Sequence, residues 1–388
     1  MNQRFSGLLR TYVLCYEKSP RRDEVRMIVH QAYKYRIYPN ADQQQLIRRM
    51  FGCCRFVFNH FLAKWNSTYS ETGKGLSYHS CATALPALKT EYEWLKEVDS
   101  IALQSSVRHV ADSFGRFFGK QTDAPRFKSR KHPVQSYTTR STNGNIAMEG
   151  SKLKLPKLGW MRFAHSRKLE GRILSATVRQ QASGKFFVSL VAEVEKLPLP
   201  TIELHIGMDL GLTEYAVCSN GERIANPRVY RKHEEKLARA NRRMARRTPG
   251  GANHKKAKRQ VARIHEHIAN TRHDFLHKLT TKLIRENQTI SIEHLSVVNM
   301  IRNPKLSKSI ADASWGEFVR QLTYKASWYG RTLRVADRFE PTSHHCHVCG
   351  TVHPEVKNLS IREWTCSTCG TAHDRDENAA HNIKSAAI

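Results

Sequence analysis

Four cysteines near the C-terminus have the residue type and the spacing of metal ligands. Cys346 and Cys349 form one C-x-x-C pair, Cys366 and Cys369 form a second, and sixteen residues separate the two pairs. Two such pairs about 15–20 residues apart are typical of a zinc ribbon. Each pair turns tightly enough to direct two thiolates at one ion, so together they predict a closed, structural Zn²⁺ site. Two unrelated redox C-x-x-C motifs are the weaker alternative.

Three acidic residues indicate a second kind of chemistry. Asp209, Glu293 and Asp376 each end a predicted strand or open a predicted helix in a basic neighbourhood. Three carboxylates brought together repel one another, and cations must compensate them. Two Mg²⁺ ions would do so, one activating a water molecule and the other stabilising a leaving 3′ oxygen. Taken singly, each acid also has a structural explanation, as a turn residue, an exposed strand end or a helix cap.

The neighbours of the third acid receive supporting roles. Asp376 begins the run Asp-x-Asn-Ala-Ala and is assigned to the metal, which leaves Asp374 as a helix cap or a support for a ligand. Asn378 is a candidate to support the same site. The nearby histidines are expected on the rim of the zinc module or in contact with phosphate, because four cysteines already complete the ligand set. They are His344, His345, His347, His353 and His373.

The charge of the chain indicates its partner. Its 388 residues include 64 Lys and Arg against 34 Asp and Glu, a net charge of +30. This excess repels itself unless a polyanion neutralises it, which favours nucleic acid, with an anionic membrane as the alternative. No apolar run approaches the ~18 residues of a spanning helix. The five cysteines outside the pairs suggest no disulfide framework, so a reducing cytosol is expected.

Two segments carry the basic residues expected to contact phosphate. Between Arg228 and Arg285 there are 18 Lys and Arg against four acids, and Pro249-Gly250-Gly251 divides the stretch into two predicted antiparallel helices. A solvated face is the simpler explanation of a charge run, but this imbalance favours phosphate contact. The candidate contacts here are Arg242, Arg243, Arg246, Arg247, Lys255, Lys256 and Lys258. The loop 125–131 adds Arg126, Lys128 and Arg130 around Phe127, which is expected to be buried.

The first half of the chain predicts a small barrel interrupted by helices. Residues 28–38 alternate like a half-buried strand, and Asn40 with Gln43 has the pattern of a helix capping box. Apolar residues at helical spacing then predict one helix and a second helical block over 80–118. Short strands separated by turns are predicted over 136–194.

The second half opens like a ribonuclease H-type domain, with a β-hairpin that carries Asp209 on its first strand. A predicted strand over 289–295 carries Glu293, an amphipathic helix is predicted over 315–329, and a last helix begins at Asp376. In a ribonuclease H-type sheet the first and fourth strands are adjacent and parallel. That order would place the first two acids side by side, and the last helix would bring the third.

In this order, these motifs resemble the TnpB/OrfB-type proteins of bacterial insertion sequences. Such proteins carry the name transposase and look like ancestors of type V CRISPR effectors. The resemblance covers residues 28–388, and its C-terminal motifs are the more specific. The segments that carry it are Tyr33–Asn40, Phe127–Arg130, Gly207–Leu212, Ile292–Leu295, the two cysteine pairs and Asp374–Ala380.

The resemblance implies an RNA-guided DNA endonuclease of α/β multidomain fold. A guide RNA and a double-stranded DNA target are the implied partners, the cytoplasm of a bacterium or archaeon is the implied location, and Asp209, Glu293 and Asp376 fall on the family's catalytic triad. The implied domains are a wedge-like β-barrel (28–40 and 136–198), a helical recognition insert (41–135), a RuvC, ribonuclease H-like nuclease (199–340 and 371–388) and an inserted zinc ribbon (341–370). Residues 1–27 depart from the pattern and are interpreted as a disordered extension or an upstream choice of start codon.

Two other functions remain open on the sequence. A non-catalytic regulator would bind nucleic acid with the basic helices and the ribbon alone. A strand-transfer recombinase would use the same metal chemistry, so the three acids do not separate it from a hydrolytic nuclease. The sequence places no hydroxyl nucleophile for a covalent DNA intermediate, which disfavours recombinases of that class.

Overall fold

The computed structural model describes residues 26–337, 342–358 and 360–386. The chain divides into two compact units, one from Ile28 to Glu195 and one from Lys196 onward. Residues 1–25, nearly all of the predicted N-terminal extension, lie outside the described residues. Among the described helices, none is both long enough and apolar enough to cross a membrane.

The first unit contains a seven-stranded sheet that buries one face of its strands. On β1 the residues Tyr33, Tyr35 and Ile37 are buried and alternate with exposed ones, as strand geometry requires. The strands are β1 (Met27–Tyr38), β2 (Gln135–Arg140), β3 (Ala147–Glu149), β4 (Lys152–Leu155), β5 (Gly159–Phe163), β6 (Arg172–Gln180) and β7 (Phe186–Lys196). Their order is β2-β6-β7-β1-β5-β4-β3. Because this order has β2 and β3 at its two ends, closure into a barrel stays a prediction.

Three helices lie between β1 and β2. They are α1 (Ala41–Thr72), α2 (Tyr78–Glu91) and α3 (Ser100–Phe118). The predicted capping box is confirmed, since Asn40 Oδ1 accepts the Gln43 N–H at 2.8 Å and Gln43 Oε1 accepts the Asn40 N–H at 3.1 Å. The predicted helical block over 80–118 is present, but it is broken between α2 and α3. Its break ends at Asp99, whose side chain accepts the Ile101 N–H and so caps a new helix.

The second unit is built on a five-stranded sheet. Its strands are β8 (His205–Leu210), β9 (Glu214–Cys218), β10 (Arg223–Ala225), β11 (Thr289–Ile292) and β12 (Thr332–Val335). Their order is β10-β9-β8-β11-β12. The first three strands are antiparallel, whereas β11 runs parallel to both β8 and β12. The predicted adjacency of the first and fourth strands is confirmed.

Helices cover this sheet and extend beyond it. They are α4 (Val229–Ala245), α5 (Ala252–Glu286), α6 (Val297–Met300), α7 (Ser307–Ala313), α8 (Trp315–Tyr329) and α9 (Arg375–Ala386). The predicted division at Pro249-Gly250-Gly251 is confirmed, and α4 packs on α5 through Leu237, Ile264 and Ile268. Helix α8 has the predicted bounds because Gly330 adopts a left-handed conformation, φ 64°, that ends it.

Candidate catalytic and metal sites

Two of the candidate acids lie at or just after the ends of adjacent parallel strands. Met208 of β8 pairs with Ile292 of β11, so Asp209 and Glu293, each one residue further on, are neighbours. Strand β11 ends at Ile292, earlier than predicted, and Glu293 begins the segment after it. The backbone N–H of Leu210 donates to Glu293 Oε1 at 3.2 Å. The strand order therefore brings the two acids side by side, while their catalytic role stays a prediction.

Helix α9 crosses β8 closely enough to bring the third acid. A Cβ atom on Gly207 would lie 2.1 Å from the backbone oxygen of Ala380 and 2.7 Å from Cβ of Lys384. Only glycine allows this approach of helix to strand. Asp376 occupies the first turn of α9, and its negative charge acts on Asp209. Asp209 is therefore within electrostatic reach of both Asp376 and Glu293.

Burial and mutual repulsion raise the pKa values of the two acids on the sheet. Burial is the largest cause that raises the pKa of Asp209 to about 7, followed by the charge of Asp376, while Arg375 and Arg362 lower it. Burial also raises the pKa of Glu293 to about 8, and the charge of Asp209 adds to the effect. The protein alone thus disfavours the charged forms, as expected of carboxylates that a cation would compensate.

Two arginines that the sequence did not single out pair with the acids beside α9. Asp374 Oδ1 accepts the N–H groups of Asp376 and Glu377, both at 3.0 Å, which is the capping role expected of it. Asp374 Oδ2 lies 2.9 Å from Arg223 Nη2, and Asp376 Oδ1 lies 3.3 Å from Arg362 Nη1. Both arginines are far from these acids in sequence, so no local pattern signals the pairs.

The donor set of the acids fits hard divalent cations. All three side chains offer carboxylate oxygens, the ligands that Mg²⁺ prefers. Among the described residues, the four cysteines are the one group of three or more His, Cys, Asp or Glu side chains arranged to hold a single ion. The three acids do not form such a single-ion group.

The four predicted zinc ligands converge. The Sγ atoms of Cys346 and Cys369 lie 3.6 Å apart, those of Cys349 and Cys366 lie 3.5 Å apart, and all four lie within 4.8 Å of one another. Zn–S bonds of about 2.3 Å in a tetrahedron require sulfur atoms about 3.8 Å apart. The arrangement therefore fits Zn²⁺ with a closed ligand set.

Two histidines lie against the thiolates, and the expectation that they sit on the rim is wrong. His353 and His373 are only 4% and 5% exposed. The Nε2 atom of His353 lies 3.3 Å from Cys366 Sγ, and that of His373 lies 3.1 Å from Cys346 Sγ. The centre of the Trp364 ring lies 4.5 Å from the centre of each of these histidine rings. Such hydrogen-bonding groups beside the metal ligands orient the ligands. The sequence does not reveal which of the nearby histidines face inward.

The ribbon is tied to α9 by side-chain amides. Asn378 Oδ1 accepts the backbone N–H of His347 at 3.0 Å, and its Nδ2 donates to the carbonyl oxygen of His345 at 2.7 Å. Asn382 Nδ2 donates to the same oxygen at 2.8 Å and to the Thr342 oxygen at 2.7 Å. Asn378 therefore contacts the first cysteine turn rather than a carboxylate of the acid cluster. It supports the third acid only by holding the helix that carries it.

Most of the predicted phosphate contacts cluster in the α4–α5 hairpin. Five arginines line one open cleft, namely Arg239, Arg242, Arg243, Arg246 and Arg247. Lys255, Lys256 and Lys258 lie exposed in the first turns of α5. Arg239 is the one member of the cleft that the sequence did not predict. Its place one turn before Arg242 and Arg243 was a usable signal, because residues three and four apart share a helix face.

The basic loop 125–131 is fixed to α1. Asn59 accepts the Lys128 N–H at 2.8 Å and donates to the Lys128 carbonyl oxygen at 3.0 Å. Lys128 Nζ lies 3.9 Å from the centre of the Phe58 ring, while Arg126 and Arg130 are exposed. Phe127 is 58% exposed, so its expected burial is wrong; Phe58 of α1, not Phe127, lies beneath the basic side chain.

Three family models match the chain. The OrfB_IS605 model, described as "Probable transposase", matches residues 189–304. A "Cas12f1-like, TNB domain" model matches residues 315–383. A model described as "Helix-turn-helix domain" and also named for OrfB_IS605 matches residues 27–74, which here form β1 and α1.

Full-length relatives and a solved structure agree with these matches. A protein of Streptomyces pristinaespiralis is 41% identical over 93% of this chain and 90% of its own length, and InsQ of Escherichia coli K12 is 35% identical over 92% of each. Both carry the provisional name RNA-guided DNA endonuclease. A Cas12f1 chain, determined by cryo-electron microscopy with guide RNA and target DNA, has the same fold, with a TM-score of 0.60 at 13% identity over 92% of this chain and 99% of that one. The chain therefore belongs to the TnpB/OrfB_IS605 transposase family.

Proposed function

We propose that this protein is a transposon-encoded, RNA-guided DNA endonuclease of the RuvC type. The observation that carries the proposal is the parallel pairing of β8 with β11, which sets Asp209 beside Glu293 while α9 brings Asp376. This arrangement matches the order expected of a ribonuclease H-type nuclease. The provisional names of the two relatives support the same reading.

In the proposed reaction Asp209, Glu293 and Asp376 would hold two Mg²⁺ ions. When bound, such ions supply an activated water and stabilise the leaving 3′ oxygen. Asp209 and Glu293 lose their protons as cations bind, because the cations offset the burial and repulsion that raise their pKa values. Arg362, which lies 3.3 Å from Asp376, neutralises charge on the exposed side of the site. The ribbon holds a structural Zn²⁺ and fixes α9.

The domain assignment follows from the same proposal. Strands of the first unit form a wedge-like barrel (28–40 and 136–198) around a helical recognition insert (41–135). The second unit comprises the nuclease (199–340 and 371–388) and the zinc ribbon (341–370).

The partners are a guide RNA and a double-stranded DNA target in the cytoplasm of a bacterium or archaeon. Base pairing with the RNA would read the sequence, while the protein contacts backbone and a short flanking motif. The exposed arginines that line the cleft in the α4–α5 hairpin would supply positive charge for the phosphates. Within the described residues, none of Arg242, Arg243, Arg246 and Arg247 has an acidic partner. They are therefore available to bind a polyanion.

Reprogramming tests this function. RNA that co-purifies with the protein is sequenced, its guide segment is replaced, and both complexes are offered plasmids that match either guide. We expect cleavage to follow the guide in each pairing. A bound RNA whose replacement leaves the cleavage sites unchanged would contradict RNA guidance, and strand joining instead of free ends would indicate a recombinase.

A further inference from the structure

Aromatic rings at the ends of α1 and α3 form a stack whose outer members face solvent. Trp65 stacks on Phe114 with ring centres 3.6 Å apart, Tyr69 continues the stack from Trp65 at 5.2 Å, and Phe118 lies 6.2 Å from Phe114. Phe117 lies 5.3 Å from Phe118. Trp65 and Phe114 are buried, whereas Phe118, Tyr69 and Phe117 are 59%, 49% and 38% exposed. Large rings exposed together commonly mark a binding surface.

The surrounding backbone holds the stack in place. Trp65 Nε1 donates to the Leu76 carbonyl oxygen at 3.2 Å. The loop after α1 passes so close that a Cβ atom on Gly75 would lie 2.2 Å from the Trp65 ring. At the end of α3, Lys120 adopts φ 53° and donates its N–H to the Phe117 oxygen. Rings fixed before binding lose little conformational freedom when a ligand covers them.

The charge beside the stack favours a polyanion. The segment from Arg116 to Lys131 contains the exposed rings of Phe117 and Phe118. It carries six Lys and Arg against one acid, Asp123. A second copy of this chain would bring another net charge of +30, which opposes association through this face. Aromatic faces beside a basic strip are instead the pattern of proteins that bind single-stranded nucleic acid.

We propose that Tyr69, Phe117 and Phe118 form a stacking platform for unpaired bases of the guide RNA. The proposal rests on the proposed function for the identity of its partner. RNA is favoured over target DNA because the guide stays bound between encounters with targets. A resident ligand would keep these rings covered throughout.

Fluorescence titration of the full-length, zinc-loaded protein, freed of co-purifying RNA, tests the platform. The probe is an unstructured oligouridylate RNA with a single 2-aminopurine, and the variant combines Phe117→Leu with Phe118→Leu, which keeps apolar surface but removes the rings. We expect quenching of the probe by the wild type only, and an increase in Kd of about 5- to 150-fold per lost base stack. The increase should be similar at low and high salt, because stacking releases no counterions. Trp94→Leu, which removes a similarly exposed ring outside the platform, should bind like the wild type.

Three results would overturn the platform. RNA binding unchanged in the double variant would do so, as would a loss seen only with the matching DNA oligonucleotide. Light scattering that shows a wild-type dimer, converted to a monomer by the variant with RNA affinity intact, would identify the face as a contact between copies. In each case guide-directed cleavage by the wild type would still be observed, so failure of the platform is distinguishable from failure of the proposed function.

Discussion

At the scale of single residues, the acid cluster holds more negative charge than the protein compensates. Asp209 and Glu293 are both buried enough that their pKa values rise to about 7 and about 8. Sequence alone identified all three acids as candidates, because each ends a predicted strand or opens a predicted helix. It did not identify Arg223 or Arg362, because their contacts with Asp374 and Asp376 form only when β10, the zinc ribbon and α9 have packed together.

Stability should therefore depend on pH in a defined direction. Since both pKa values are raised in the folded state, these two carboxyl groups bind more protons in the Mg²⁺-free folded protein than in the unfolded chain between about pH 4 and pH 8, and their contribution to the free energy of unfolding falls as pH rises through that window. Asp209→Asn should remove part of this slope and stabilise the protein more at about pH 8 than at about pH 5. Urea unfolding of both proteins, with and without Mg²⁺, measures the effect. Equal stabilisation of the variant at both pH values would contradict a raised pKa of Asp209 in the folded state.

At the scale of secondary-structure elements, the position of α9 matters most. The sequence predicted α9, the strands that carry or precede Asp209 and Glu293, and the convergence of the four cysteines, because strand alternation and cysteine spacing are local signals. It did not predict that Asn378 contacts the ribbon or that His353 and His373 face inward. Those contacts depend on how the elements pack.

A methyl group at Gly207 should displace α9 from β8. Gly207→Ala places Cβ 2.1 Å from the Ala380 oxygen, and overpacking of this kind costs about 1–3 kcal/mol of stability. We expect a lower melting temperature and a larger loss of cleavage than of nucleic-acid binding. Gly316→Ala is the matched control, because no atom lies within 4 Å of its new Cβ and alanine favours the helix. Wild-type cleavage by Gly207→Ala would show that the close approach is not needed.

Loss of zinc should reduce cleavage although no cysteine reaches the acid cluster. Structural Zn²⁺ contributes about 10–16 kcal/mol to the folding of small zinc modules, and Cys366→Ser removes one of its four ligands. Without the ribbon, α9 loses the contacts of Asn378 and Asn382. A shift of ~1 Å at a reacting group is enough to reduce the rate by about two orders of magnitude. Zinc content and cleavage rate are measured on one preparation; full activity in a folded, zinc-free protein would make the ribbon a binding accessory only.

At the scale of the whole molecule, charge dominates the expected behaviour. Composition alone predicted a nucleic-acid partner, and the α4–α5 hairpin gathers five arginines around one cleft. The sequence predicted that β1 combines with strands that follow the three helices, and these strands form one sheet, but it did not predict which of them pairs with β1. Pairing between segments so distant in the chain has no local signature.

Nucleic-acid affinity should fall steeply with salt. If the hairpin neutralises 6–10 phosphates, affinity decreases by about 10³–10⁵ between 50 and 200 mM salt. Changing Arg242, Arg243, Arg246 and Arg247 together to Gln should reduce the slope of log Kd against log salt. Lys278→Gln is the control, because Lys278 already pairs with Asp274 at 2.7 Å. Equal slopes in the wild type and the arginine variant would exclude this cleft as a phosphate-binding surface.

A joint role of Asp209, Glu293 and Asp376 in cutting DNA is tested by the cleavage rate of RNA-matched DNA in Mg²⁺. The rate is measured for the wild type and for Asp209→Asn, Glu293→Gln and Asp376→Asn, with DNA binding measured on the same preparations. We predict that each substitution abolishes cleavage, because each carboxylate is needed to hold the two Mg²⁺ ions. DNA binding should stay nearly unchanged, because the loss of one negative charge is small beside a net charge of +30. Wild-type cleavage by any one of these variants would remove that residue from the site and contradict a joint role of the three acids.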